Sequence, residues 1–274
     1  MGLKKLTRKV LYKIGGDRLV EAPEWECVTE GWVYKSKQTT GWNVDTVLNT
    51  QKEKWPKFIE FIEGNGPLGL AHEAPKPNNT NIWAHNTTMS YAYVLALISR
   101  MKEKISMLDW GSGIGHYYPL SQQIVPGLKI DYHAFDLPIF LNHARELFPD
   151  AHFYDKQEDA LNRKYDLVLA SGSMQYEKEW EKYAAQLAAA AEPYFFLTRV
   201  LMIHNAPTYV LLQRAQRYGY KTEYLCWVYN RSKLIEFFEA RGLKLVREFL
   251  MRDRPKVFGA PEQPECRGFL FKKK

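Results

Sequence analysis

The sequence predicts an α/β fold: a mostly parallel sheet of seven strands, helices on both faces, an antiparallel last strand, and a helical extension at the N-terminus. Three observations predict it. An apolar run, Ile105 to Leu108, leads into three glycines at alternate positions, Gly111, Gly113 and Gly115, and then into a segment of helical character. That order reads as strand, tight turn and helix start, with glycine where the backbone takes positive φ or lies against a ligand. From there to residue 249, apolar runs alternate with segments of helical period, as parallel strands joined by crossover helices do. The last two apolar runs have no helix between them, so they pair antiparallel.

The extension, residues 1–82, opens on an amphipathic pattern. Leu3, Leu6, Val10, Leu11 and Ile14 fall on one stripe of a helix over 3–14, flanked by Lys4, Lys5, Arg8, Lys9 and Lys13, and Gly15-Gly16 ends it. A basic helix of this kind either lies on an anionic membrane or docks on the rest of the protein. Asp45 to Ile62 reads as a helix with Val47, Leu48, Trp55, Phe58, Ile59 and Ile62 inward. Gly64 to Thr80, rich in Gly, Pro and Asn, reads as a linker or lid. Little else in residues 17–80 is legible.

The second unit, residues 83–274, begins with a helix from about Thr87 to Lys104, whose apolar face is Val94, Leu97, Ile98 and Met101. After the glycine turn, Lys129 to Phe135 is a strand ending at Asp136. Pro138, suited to a first helical turn, starts a helix running to about Phe148. Ala151 to Tyr154 is a short third strand. Tyr165 to Ala170 is apolar enough to be buried on both faces. Glu177 to Ala191 is a helix and Tyr194 to Val200 the fifth strand. Ser232 caps a helix to Arg241, with Gly242 just past its end. Leu243 to Phe249 and Gly268 to Phe271 complete the sheet.

Composition narrows the class. The chain has 274 residues, enough for a sizeable core. Its 38 Lys and Arg against 31 Asp and Glu leave a net charge of +7, which favours an anionic partner. Cys27, Cys226 and Cys266 are far apart and odd in number, and no Cys/His spacing has metal-site form, so no metal and a reducing cytoplasm are expected. No apolar run is long enough to span a bilayer. The expected location is the cytoplasm, with the basic helix as the element that could bring the chain peripherally to the inner membrane face.

The glycine turn distinguishes two nucleotide-binding patterns. A dinucleotide fingerprint is G-x-G-x-x-G. Here the sixth position counted from Gly111 or Gly113 is His116 or Tyr118, and an acid, Asp109, precedes the first glycine by two residues. Asp-x-Gly-x-Gly-x-Gly after a strand resembles the first motif of class I S-adenosylmethionine-dependent methyltransferases. Over about residues 83–272 the layout is similar to their Rossmann-like fold, a seven-stranded sheet with its last strand antiparallel. More narrowly, the chain resembles a family of methyltransferases associated with surface-polysaccharide biosynthesis. The points of similarity are Gly41-Trp42, Leu108 to Gly113, Leu169 to Tyr176, and the C-terminal helix and hairpin. Gly41-Trp42 departs from the Gly-Tyr expected there.

The resemblance implies S-adenosylmethionine as cofactor and places its contacts. Gly111, Ser112, Gly113 and Gly115 would form the turn against it. Asp136, with Leu137 beside it, would accept from both ribose hydroxyls. Gln157, Glu158 and Asp159 follow the third strand, where this fold meets adenine. Asp109 would steady the turn or meet the methionine amino group. Ser171 and Ser173, in Ser-Gly-Ser-Met-Gln-Tyr, would lie beside the transferable methyl.

That segment is not Asn/Asp-Pro-Pro-Tyr, which resembles enzymes acting on planar amino groups, and no Pro-Cys pair marks a cytosine enzyme. A hydroxyl acceptor remains, on a sugar or glycan precursor by the narrower resemblance. Alternatives are methylation of RNA or another small molecule, an NAD-dependent oxidoreductase, and a non-catalytic nucleotide-binding protein. No RNA-binding module is recognisable, so nucleic acid is not the expected partner. Methyl transfer needs alignment and a base for the hydroxyl proton. His204, after the fifth strand, and His116, after the glycine turn, are the two candidates. His204 is preferred, because the helix start beside His116 disfavours imidazolium and Ile203, Asn205 and Ala206 put no charge beside His204.

Overall fold

The structure is a computed structural model that describes residues 11–13, 19–34, 36, 40–70, 78–100, 102–251 and 254–274. Strands β1 (Leu11–Lys13) and β2 (Leu19–Glu21) pair antiparallel in a small separate sheet. The expected helix over 3–14 therefore does not include Leu11–Lys13. A short apolar run serves a strand as well as a helix stripe, and here a partner strand decides. Residues 3–10 and 14–16 of that expectation lie outside the described residues.

Strand β3 (Trp25–Cys27) precedes helix α1 (Asp45–Glu63), whose Val47, Phe58 and Ile62 are buried as expected. Helix α2 (Ile82–Ser99) starts five residues before the expected Thr87. The cause is Asn81, whose side chain caps the helix by accepting from the Ala84 amide at 3.0 Å.

Strand and helix then alternate as predicted: β4 (Lys104–Trp110), α3 (Tyr117–Ile124), β5 (Lys129–Phe135), α4 (Pro138–Leu147), β6 (His152–Tyr154), α5 (Gln157–Leu161), β7 (Tyr165–Ser171), α6 (Trp180–Ala190) and β8 (Ala191–Ile203). The short α5 takes the place of an expected loop. Strands β9 (Tyr209–Arg214) and β10 (Glu223–Asn230) follow, then α7 (Arg231–Glu239), β11 (Leu243–Leu250) and β12 (Glu265–Lys273). Helix α7 is capped by Asn230, which accepts from the Lys233 amide at 3.2 Å, rather than by Ser232. Gly242 takes φ +79° just past its end.

Among the described residues the main sheet has ten strands, not seven. The seven expected ones are β4 to β8, β11 and β12. Pairing runs parallel from β6 through β5, β4 and β7 to β8, and β12 lies antiparallel between β8 and β11. The three additional strands continue from the far end of β8. That strand passes the expected stop at Val200, and its Met202 and Ile203 pair in parallel with Tyr229 and Asn230 of β10; β9 and β3 then add antiparallel.

Leu167, Val168, Leu169 and Ala170 of β7 are fully buried. Val168 packs with Leu108, Phe195 and Phe238 on one face, Leu167 and Leu169 with Tyr91, Val94 and Phe196 on the other. Burying such side chains on both faces, at about 1.5–3 kcal/mol each, fixes the strand ends from which the site is built. Among the described residues no helix is long and apolar enough to cross a membrane.

Candidate active site

The C-terminal ends of β4, β5 and β7, with Arg199 of β8 beside them, open into a cavity of about 580 Å³. Its floor is the glycine turn. The amides of Gly111 and Ser112 donate to the Phe135 carbonyl at 2.8 and 3.3 Å, closing the turn onto β5. Gly111 has φ +80°, and a Cβ there would stand 2.2 Å from that of Ser173, so only glycine fits. Ser173 is held by donating to the Trp110 carbonyl at 2.7 Å.

Asp136 closes the other side. Its carboxylate accepts from the Gly113 and Leu137 amides, both at 2.6 Å. Burial pushes this carboxyl up to about 6, while the two amides pull it down. It is still ionised at neutral pH and has lone pairs to spare. Of the expected cofactor contacts, Gly111, Ser112, Gly113, Asp136, Leu137, Ser171 and Ser173 all line this one cavity. Ser171 shares a 2.7 Å hydrogen bond with the Tyr117 hydroxyl, so its own orientation is set.

Other expected contacts stand behind or away from the lining. Gly115 packs under the Phe148 ring, whose nearest carbon would be 3.0 Å from an added Cβ. Asp109 is fully buried beneath the turn and accepts from the Tyr132 hydroxyl at 2.7 Å; its other oxygen has no hydrogen-bond partner. Burial, opposed by that hydrogen bond and reinforced by the charge of Asp136, raises it to about 7. Gln157 donates to Gln186 at 3.2 Å on α5, and Glu158 and Asp159 are exposed; none of the three lines the cavity.

The two histidines part company. His116 is buried at the cavity wall, with the rings of Trp55 and Phe58 edge-on at 5.1 and 4.9 Å. His204 is 45% exposed and outside the lining, its Nε2 2.9 Å from Glu265 Oε1. The expectation of uncharged surroundings fails for His204, because β12 and the loop before it bring Glu262 and Glu265 to it from about sixty residues away.

Several lining residues carry no motif of their own. Trp42 stacks on Tyr224 at 4.4 Å and meets Tyr176 and Tyr220 edge-on at 5.0 and 6.0 Å. Burial pushes the Tyr220 hydroxyl up to about 12. The Gly41-Trp42 segment is fastened to the start of β10: Gly41 donates to the Glu223 carbonyl at 3.2 Å, and the Thr222 hydroxyl donates to the Gly41 carbonyl at 2.7 Å. Gln51 on α1 reaches the turn, its Oε1 3.2 Å from where a Gly113 Cβ would be. Of these, Gly41-Trp42 and Tyr176 were part of motifs visible in the sequence, and Gln51, Tyr220 and Tyr224 were not.

Among the buried polar atoms of lining residues, Trp42 Nε1, Gln51 Oε1, Trp110 Nε1 and the Tyr220 hydroxyl have no protein hydrogen-bond partner. Such atoms cost about 1–3 kcal/mol each when left unmet. The Asp136 carboxylate, with lone pairs beyond its two amide bonds, and the glycine turn that only glycine can form both line the cavity and fit a nucleoside-bearing group such as S-adenosylmethionine.

A second polar cluster lies away from this cavity. Asp131 is 3.2 Å from His133 Nε2 and 3.3 Å from His152 Nε2. The two imidazoles stack face to face at 4.4 Å with 16° between planes. Each of the three residues offers one ligand atom, all within 4.8 Å of one another, so a His/Asp grouping that the sequence spacing did not show is present here.

A family model described as "Methyltransferase domain" matches residues 83–248, more than half of the chain. No curated protein matches the chain. Among solved structures, it is similar to a Galdieria sulphuraria protein assigned as a sarcosine dimethylglycine methyltransferase, at 12% identity and TM-score 0.51, over 82% of this chain and 98% of that one. It is also similar to the magnesium protoporphyrin IX methyltransferase of Synechocystis PCC 6803 with bound SAM (14% identity, TM-score 0.49, 86% of this chain and 100% of that one). A third is the 1,6-didemethyltoxoflavin-N1-methyltransferase of Burkholderia thailandensis (14% identity, TM-score 0.46, 96% of this chain and 99% of that one).

Proposed function

The chain belongs to the methyltransferase-domain family, whose fold and glycine turn serve S-adenosylmethionine, and we propose that it methylates a hydroxyl of a sugar or glycan precursor. The observation that carries this reading is the single cavity in which the Asp136 carboxylate, the Gly111–Gly113 turn and the Trp42 aromatic wall face one another. The first two hold a nucleoside and its methionine chain. The wall of Trp42, Tyr176, Tyr220 and Tyr224 presents aromatic faces to the cavity, a surface suited to stacking on a sugar ring. The resemblance of Leu169 to Tyr176 to methyltransferases of surface-polysaccharide biosynthesis points the same way.

S-adenosylmethionine supplies an electrophilic methyl group on a sulfonium. Asp136 holds the ribose, and the amides of the turn hold the methionine end. Ser171 and Ser173, beyond the turn, bound the space where the acceptor oxygen approaches. Bound there, S-adenosylmethionine would give its methyl group to the acceptor oxygen and leave as S-adenosylhomocysteine, and the imidazole of His116 would take the hydroxyl proton. Alignment of this kind lowers barriers by up to about 7–11 kcal/mol, and a positioned base adds roughly 10²–10⁴-fold.

The test is incubation of the full-length protein with methyl-labelled S-adenosylmethionine and a panel of hexoses, uronic acids and nucleotide sugars. Aromatic amines and carboxylic acids serve as the comparison set. Label on a sugar oxygen supports the reading. Label only on nitrogen or on a carboxylate overturns the acceptor class while leaving the methyltransferase intact.

A further inference from the structure

Arg199 stands at the acceptor end of the cavity in a backbone conformation that arginine rarely adopts. Its φ is +58°, and among the described residues it is the only non-glycine with positive φ. The cause lies in the pairing of β8 with β12. Leu197 pairs with Phe269 and Val200 with Arg267, so Thr198 and Arg199 together face Gly268. This is a β-bulge, in which the extra residue is re-aimed out of the strand's alternation. The left-handed position of such a bulge usually belongs to glycine. A non-glycine residue held there is strained, and strain of this kind collects at functional sites.

The surroundings hold what the bulge aims. The guanidinium lies over the Trp83 ring, 5.0 Å from its centroid. On the other side is Gly172, where an added Cβ would be 3.4 Å from Arg199 Cζ and Nε. The Gln175 side-chain amide donates to the Arg199 carbonyl at 3.0 Å, and the Gly172 amide donates to the Thr198 carbonyl at 2.9 Å. Among the described residues, Arg199 is the only lysine or arginine lining the main cavity, and it also lines the smaller cavity beside it.

The order of the strands says which ligand it faces. Along the sheet edge, β5 ends just before Asp136, β4 at the glycine turn and β7 at Ser171; β8, whose Thr198 pairs with Ser171, reaches the same level at Arg199 before running on to Ile203. Strands stand about 4.8 Å apart. Arg199 is therefore two strands beyond the turn that holds the cofactor, on the side of Tyr220.

We propose that Arg199 is a specificity-determining residue that binds an oxyanion, carboxylate or phosphate, carried by the methyl acceptor. The inference rests on the methyltransferase reading but not on the acceptor being a sugar. A guanidinium pairs with either oxyanion through two parallel hydrogen bonds.

The test uses the full-length protein saturated with S-adenosylhomocysteine, titrated by calorimetry with matched probes. Glucuronate and a hexose phosphate are compared with methyl glucoside, and benzoate with benzyl alcohol. Wild type should bind at least one anion about tenfold or more tighter than its neutral partner. Which anion wins separates carboxylate from phosphate.

Arg199→Gly should abolish that preference, keep S-adenosylhomocysteine affinity within about twofold, and keep the melting temperature, because glycine is at ease at this φ. Arg199→Lys, which retains the charge, should keep part of the preference. A preference confined to the benzoate pair upholds Arg199 and removes the sugar. No preference in either pair overturns the inference. So does a preference that survives Arg199→Gly, or a tenfold loss of S-adenosylhomocysteine affinity in that variant, which would give Arg199 to the cofactor's own carboxylate.

Discussion

The amide of Gly113 donates to the carboxylate of Asp136 at 2.6 Å, tying the glycine turn after β4 to the end of β5. One oxygen of Asp136 therefore shapes the turn, while the carboxylate remains open to the cavity. Burial raises this carboxyl to about 6, so at neutral pH it is ionised and, on the proposed reading, would accept hydrogen bonds from ribose. Below pH 6 it gains a proton and loses acceptor capacity. Affinity for S-adenosylhomocysteine should thus fall as pH drops through 6. Asp136→Asn should lower affinity at neutral pH by roughly 10–100-fold, equivalent to about 1.5–3 kcal/mol, and should flatten the pH dependence. Calorimetry between pH 5 and 8 checks both, with melting temperature as the control for folding. An Asn variant that binds as wild type does would take Asp136 out of the site.

Gly111 and Ser173 make a second coupled pair. Gly111→Ala puts a Cβ 2.2 Å from that of Ser173 at a residue with φ +80°. The left-handed backbone alone costs about 1–3 kcal/mol, or roughly 2–4 °C in melting temperature per kcal/mol for a chain of this size. S-adenosylhomocysteine binding should weaken as the turn shifts. Adding Ser173→Gly removes the clash but not the backbone cost, so the double variant should recover part of the lost stability. Equal melting temperatures for Gly111→Ala and wild type would contradict the packing described.

Asp109 makes a prediction about stability. Its folded carboxyl is raised from the ordinary 3.8 to about 7 because it is fully buried with one oxygen unpaired. The folded state thus holds this proton more tightly than the unfolded chain does. Stability is lost as pH rises from about 4 to 7, where the unfolded carboxyl has already ionised at no cost. At about 1.4 kcal/mol for each pH unit of that interval, the loss amounts to several kcal/mol at most. Asp109→Asn carries no such charge, so its melting temperature relative to wild type should climb between pH 4 and pH 8. A constant difference across that range would show that the buried charge is compensated in some other way.

The fold was legible where each segment carried its own signal. The run Tyr165 to Ala170, uninterrupted by polar side chains after Asp166, could only be a doubly buried strand, and Gly111-x-Gly113-x-Gly115 could only be a turn. The three additional strands were not legible. Whether β8 stops at Val200 or runs to Ile203 depends on a bulge opposite Gly268, which is a property of pairing and not of the segment. The strand-end part of the cavity lining followed from the sequence. The rest did not, because Trp42, Gln51, Tyr220 and Arg199 converge from four separate stretches, of which only Gly41-Trp42 carried a signal of its own. The surroundings of His204 were not legible for the same reason: its neighbours in sequence are neutral, but its neighbours in space are Glu262 and Glu265.

That difference decides the prediction about the base. His116 immediately precedes α3, lines the main cavity and is enclosed by Trp55 and Phe58, so water is largely excluded from one face of its ring. His204 points its Nε2 at Glu265, on the outside of the lining. A general base must come within hydrogen-bond reach of the proton it removes, and only His116 shares a cavity with the turn, Ser171 and Arg199. His116→Gln preserves bulk and polarity without a titrating ring, and should reduce turnover about 10²-fold or more. Affinity for S-adenosylhomocysteine should change by only a few-fold. His204→Ala should leave turnover within about twofold and show its effect in stability instead, through the lost contact with Glu265. Both variants are to be measured on the acceptor identified by label transfer. If His204→Ala removes activity while His116→Gln keeps it, the base approaches from the β12 side, and the acceptor cannot be oriented by the aromatic wall as described.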